Sequence, residues 1–81
     1  MEIPEKDVRS LFEGILRGDG DAFSRMASSH EGGENCYPFP IKGIVNTFNE
    51  MMTAGFEFSE QDIQEQVDGA IARVKQYLKL V

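Results

Sequence analysis

His30 and Cys36 are the side chains here whose types most readily do covalent or metal chemistry, and they share one segment with Glu31 and Glu34. A thiol becomes a useful nucleophile when a base lies beside it, so a Cys–His pair is the first arrangement to consider. The segment supplies no third member and no helix start to act as an oxyanion site. Zinc would need three or four ligands at defined spacings, with Cys or His repeated, and here there is one of each. Asp19-Gly20-Asp21 has the opening of a calcium loop, which needs oxygen ligands at positions 1, 3 and 5, glycine at 6 and glutamate at 12. Counted from Asp19, those last three positions hold Phe23, Ser24 and His30. A turn followed by a helix cap accounts for the motif better. No catalytic residue, metal ligand or cofactor site is therefore assigned. Chemistry or small-ligand binding in the His30–Cys36 loop stands as the alternative to a binding role.

The carboxylates raise a different option. Glu57, Glu60, Asp62, Glu65 and Asp68 follow one another closely, within a chain of fourteen acids and eight bases with a formal charge of −6. Acids at a helix start are favoured by its dipole, and such a run can also steer and complement a basic partner. The same balance disfavours nucleic acid, which needs clustered Lys and Arg. The one local group of bases, Arg73, Lys75 and Lys79, suits the end of a helix.

The segment from Tyr37 to Phe58 carries Tyr37, Phe39, Phe48, Met51, Met52, Phe56 and Phe58. Phe48, Met52 and Phe58 fit a core. Met51 lies beside Met52 and cannot share its direction, and Tyr37 and Phe39 alternate with prolines in an extended stretch. Aromatic residues and Met are enriched at the centres of protein interfaces. Tyr37, Phe39, Met51, Phe56, Glu57, Glu60, Asp62 and Glu65 are thus the expected partner-binding residues. A homodimer through the apolar end of the last helix, with Tyr77, Leu78, Leu80 and Val81, is a further alternative.

These residues must be positioned by helices. Val8, Leu11, Phe12, Ile15 and Leu16 fall at i, i+3, i+4, i+7 and i+8, one face of a 3.6-residue period. Pro4 suits the first turn and Gly18 the stop. Gly14, costly inside a helix by up to ~1 kcal/mol, marks close packing of a neighbour. A short second helix is expected over residues 22–28, capped by Asp21 or Asp19. A loop of Gly, Pro and polar residues then runs over 28–40. A third helix starts near Pro40, buries Ile41, Ile44, Val45, Phe48 and Met52, and closes at Gly55. A fourth is capped by Ser59, with Asp62 completing a capping box and Phe58 placed to staple onto Ile63. Its inner face is Ile63, Val67, Ala70, Ile71, Val74 and Leu78. No stretch has the alternation of a useful strand.

The expected architecture is all-α, one domain over residues 1–81, with three longer helices, one short helix and a long Gly/Pro-containing loop. Apolar residues make up 41% and charged residues 27% of the 81, enough for a thin core that a partner often supplements. No run approaches the ~20 apolar residues of a membrane span, and residues 1–7 do not read as a signal peptide. A single cysteine points to a reducing, cytoplasmic setting.

Two short resemblances accompany this plan. Gly43-Ile44-Val45-Asn46-Thr47, shortly after Tyr37-Pro38, resembles a stretch of the immunity proteins that inhibit nuclease colicins. It implies a small acidic, four-helical, toxin-neutralising inhibitor. That family's paired tyrosines are here Tyr37 alone, and its acidic recognition helix stands where this chain has a short helix and a Gly-rich loop. Residues 8–27, through Leu11-Phe12, Arg17-Gly18-Asp19 and Phe23, resemble the opening of cone-shaped cyclase and isomerase-like folds. Those require a curved sheet, for which this chain lacks strands and length. Neither resemblance assigns a family.

Overall fold

The computed structural model describes residues 3–28 and 37–81. Helix α1 spans Glu5–Leu16, α2 Ala22–Ser28, α3 Phe39–Thr53 and α4 Glu60–Lys75. The protein is all-α. Each amphipathic period becomes the helix expected of it. α1 is the central element: Val8 and Phe12 are fully buried, and α2, α3 and α4 all pack on it, while α3 and α4 touch each other much less. Phe12 meets Phe48 of α3 edge to face, with ring centroids 5.5 Å apart at 81°, a favoured aromatic geometry.

The ends of the helices are specified residue by residue. Pro4 sits just outside α1 as its N-cap, not inside the first turn. At the other end Gly18 has φ +101°, its N–H donates to the Ile15 carbonyl, and the Asp19 N–H donates to that of Gly14. This 6→1 and 5→2 pair is a Schellman stop, which needs a left-handed residue at its glycine. Gly14 does abut a neighbour, since a Cβ there would lie 3.4 Å from that of Ala22 in α2. The Asp19 carboxylate accepts the Asp21 N–H and pairs with Arg25, while the Asp21 carbonyl accepts the Arg25 N–H in α2.

α3 begins at Phe39, one residue before the expected Pro40, with Pro38 as N-cap and Pro40 in the first turn. Phe39 and Pro40 are thus helical, not loop. Ser28 closes α2, and residues 29–36 of the expected loop, including His30, Glu31, Glu34 and Cys36, lie outside the described residues. α3 ends in a second Schellman stop: Gly55, at φ +91°, donates to the Met52 carbonyl, and Phe56 to that of Met51.

The Ser59 side chain accepts the Asp62 N–H at 3.1 Å, and the Asp62 carboxylate receives the Ser59 N–H. Both halves of the capping box are therefore made. Replacing Ser59 with Ala is expected to lower stability by about 1 kcal/mol. Chemical denaturation of the two proteins side by side checks this, and no change would mean that the cap is redundant.

The segment before α1 meets the segment after α4 where no strand was expected. Ile3 and Leu80 form an isolated parallel bridge. The Glu5 N–H donates to the Val81 carbonyl at 2.7 Å, and the Val81 N–H to that of Ile3 at 2.9 Å. Ile3 is buried, with Leu78 and Leu80 packed against the core. The apolar segment after α4 is therefore divided: Leu78 and Leu80 are partly buried against the core, while Tyr77 and Val81 stay exposed.

Candidate functional site

Ion pairs divide the two faces of α4. Glu5 pairs with Lys75, Arg9 with Asp68 at 2.8 Å, and Arg17 with Glu60 at 2.7 Å. Numbers rise along α1 as they fall along α4, so the two run antiparallel and these pairs line their seam. Arg17 also reaches Glu13 at 3.2 Å. The hydrogen bond from Arg17, followed by its charge, holds the Glu60 carboxyl below its ordinary range. Arg17 is raised by the same contact. Asp19 is likewise lowered, first by its hydrogen bond from Arg25. These groups are exposed, so the pairs orient side chains more than they stabilise the fold.

The expected acidic surface is therefore not continuous. Glu60 and Asp68 turn to α1. Glu57, Asp62 and Glu65 turn to α3, where they line a recess of about 390 Å³ with Met51, Phe56 and Phe58. The helix caps build this recess. The Schellman stop of α3 brings Phe56 back toward Met51, an apolar pairing that commonly accompanies the motif, and the capping box of α4 fixes the chain beside Phe58. Phe56 and Phe58 stand edge to face at 6.3 Å and 83°.

Five of the eight expected residues thus converge: Met51, Phe56, Glu57, Asp62 and Glu65. Glu60 belongs to the α1 side. Tyr37 is a correction: it is only 6% exposed and stacks obliquely on Phe23, centroids 5.6 Å apart. An aromatic ring beside Pro38 fills the space between α2 and the start of α3, so Tyr37 is core. Phe39, 80% exposed, stands elsewhere on the α3–α4 face. It lines a groove of about 490 Å³ with Gly43, Ile44, Arg73 and Tyr77.

No family model, curated protein or solved structure matches the chain. What the site can do must be read from its own geometry. A third, smaller recess joins the two described. It shares Ile44, Thr47 and Arg73 with the Phe39 groove and Glu65 and Gln66 with the acidic recess. One furrow consequently runs along the whole α3–α4 seam, aromatic at both ends and carboxylate-lined at one. It stays open because α3 and α4 lean on α1 more than on each other; Gly43 lines the Phe39 groove and Gly69 the joining recess.

Arg73, Gly43 and Gly69 were not among the expected contact residues, and Tyr77 was expected only in the homodimer alternative. The signal for them was present in part, since a glycine within an exposed helical stretch, such as Gly69, invites a reason. Their convergence depends on how α3 and α4 lie together, which no single helix shows. Among the described residues no three His, Cys, Asp or Glu side chains are grouped to hold a metal ion. No helix among them is long and apolar enough to cross a membrane.

Proposed function

We propose that this chain is a small acidic protein-binding module, an inhibitor, adaptor or regulatory subunit that works by contact rather than catalysis. Its contact surface is the α3–α4 furrow. The observation that carries this is the presence of three rings on that face, Phe39, Phe56 and Tyr77, which are 80%, 52% and 70% exposed. Large apolar side chains gathered on one face mark interaction sites. Covering each ring would contribute roughly 1–2 kcal/mol. Glu57, Asp62 and Glu65 at one end favour a partner that brings a basic side chain there. A small ligand is disfavoured by shape, because such ligands are usually enclosed over most of their surface and the furrow is an open trough.

The test replaces Phe39, Phe56 and Tyr77 together with Ser. Helical content should be preserved, since all three rings are largely exposed. Binding to any partner isolated with the wild-type chain should fall by about a hundredfold or more. Unchanged binding by a folded triple variant would refute the proposal.

A further inference from the structure

Gly69 sits in the middle of α4 on its exposed side, and a Cβ built there would meet nothing within 4 Å. The fold of one copy thus gives no reason for a glycine, a residue that weakens a helix interior. On the same face Glu65 lies four residues before it and Arg73 four residues after. Asp62 and Gln76 stand seven residues to either side, and all of these are exposed. Arg9, Arg17 and Arg25 each hold a carboxylate. Arg73 has no such partner among the described residues, and Glu65 receives only a long contact from Gln61 at 3.4 Å.

We infer that the first occupant of the furrow is a second copy of this chain, with α4 packed antiparallel to its counterpart and crossing it at Gly69. The inference rests on the binding-module reading and names its partner. A two-fold axis beside Gly69 sets each position against the one equally far on the other side. Glu65 of one copy then faces Arg73 of the other, and the pair is made twice. One helical turn, about 6 Å of rise, separates each pair from the crossing point. The absent side chain at Gly69 lets the two backbones approach. A foreign helix would need a base and an acid placed to match; a second copy has them by symmetry. Phe39 and Tyr77, beside Arg73 in the same groove, flank this contact with apolar surface. Each copy carries −6, a repulsion that salt near 0.15 M screens beyond ~8 Å, whereas charges in direct contact are screened less.

Sedimentation of the full chain over a concentration series at that salt tests the assignment. The wild type should dimerise. Glu65→Arg and Arg73→Glu should each weaken the dimer about tenfold or more, because each change sets like charges together twice. The double variant Glu65→Arg/Arg73→Glu rebuilds both pairs reversed and should return within about threefold of the wild type. Gly69→Leu should abolish the dimer yet leave the monomer helical. A wild type that stays monomeric at millimolar concentration overturns the inference, as does a dimer indifferent to the charge changes. The binding-module reading fails separately, through the Phe39, Phe56 and Tyr77 variant. A monomer whose capture of a foreign partner still depends on those rings would reject the second copy and retain the module.

Discussion

Replacing Phe12 with Ala is expected to remove about 3–5 kcal/mol of stability, the range for emptying a buried aromatic site. Phe12 is wholly buried, makes the edge-to-face contact with Phe48, and lies on the helix against which all the others pack. A domain of this length has roughly 4–12 kcal/mol in total, so the variant should be partly or largely unfolded at room temperature. The cavity cannot close easily. Val8, Leu11 and Ile15 of the same helix are themselves buried in the core, and moving α1 inward would disturb its ion pairs with α4. Urea unfolding should show a midpoint far below that of the wild type with a similar slope. A loss under about 1 kcal/mol would mean that α1 is not the centre of the core.

The second large effect separates two aromatic residues only two positions apart. Tyr37→Ala should cost about 2–4 kcal/mol through lost packing against Phe23, whereas Phe39→Ala should stay within about 0.5 kcal/mol. For a chain of this size each kcal/mol moves the melting temperature by roughly 4–8 °C. Tyr37→Ala should therefore melt on the order of 10 °C or more below the wild type, with Phe39→Ala close to it. Binding should show the reverse order, measured at a temperature where both variants are folded. Equal melting temperatures for the two would contradict the placement of Tyr37 in the core.

That contrast shows what was legible in the sequence. Helical periodicity identifies inner faces because a helix must bury one stripe, and Val8 to Leu16 or Ile63 to Val74 need no other information. The stops at Gly18 and Gly55 and the cap at Ser59 are likewise local chemistry. Between helices no period exists, so nothing in Tyr37-Pro38-Phe39 said which ring turns inward. The helical phase that begins at Phe39 decides it. Acidity was equally ambiguous. Glu57 to Asp68 reads as one run, yet Glu60 and Asp68 face the arginines of α1 while Asp62 and Glu65 face α3. The bridge between Ile3 and Leu80 joins opposite ends of the chain, and no window along the sequence contains both.

The furrow itself is tertiary. Gly43 with Phe39 and Gly69 with Arg73 are each unremarkable on their own helices, and only the lean of α3 and α4 toward α1 makes them neighbours. Helix caps, usually considered for stability alone, also do part of the positioning. The stop that turns the chain at Gly55 is what places Phe56 by Met51, and the box at Ser59 aims Asp62 beside them.

The most direct measurement is side-chain footprinting by radical labelling, read by mass spectrometry, on the protein in concentrated native extract and again in dilute buffer. Occupation of the α3–α4 face, by a second copy or by another protein, should protect Phe39, Phe56 and Tyr77 several-fold in the extract while Phe23 and Met26 of α2 label equally in both. Equal labelling of all three rings in the two conditions would contradict the claim that this face is where the protein acts.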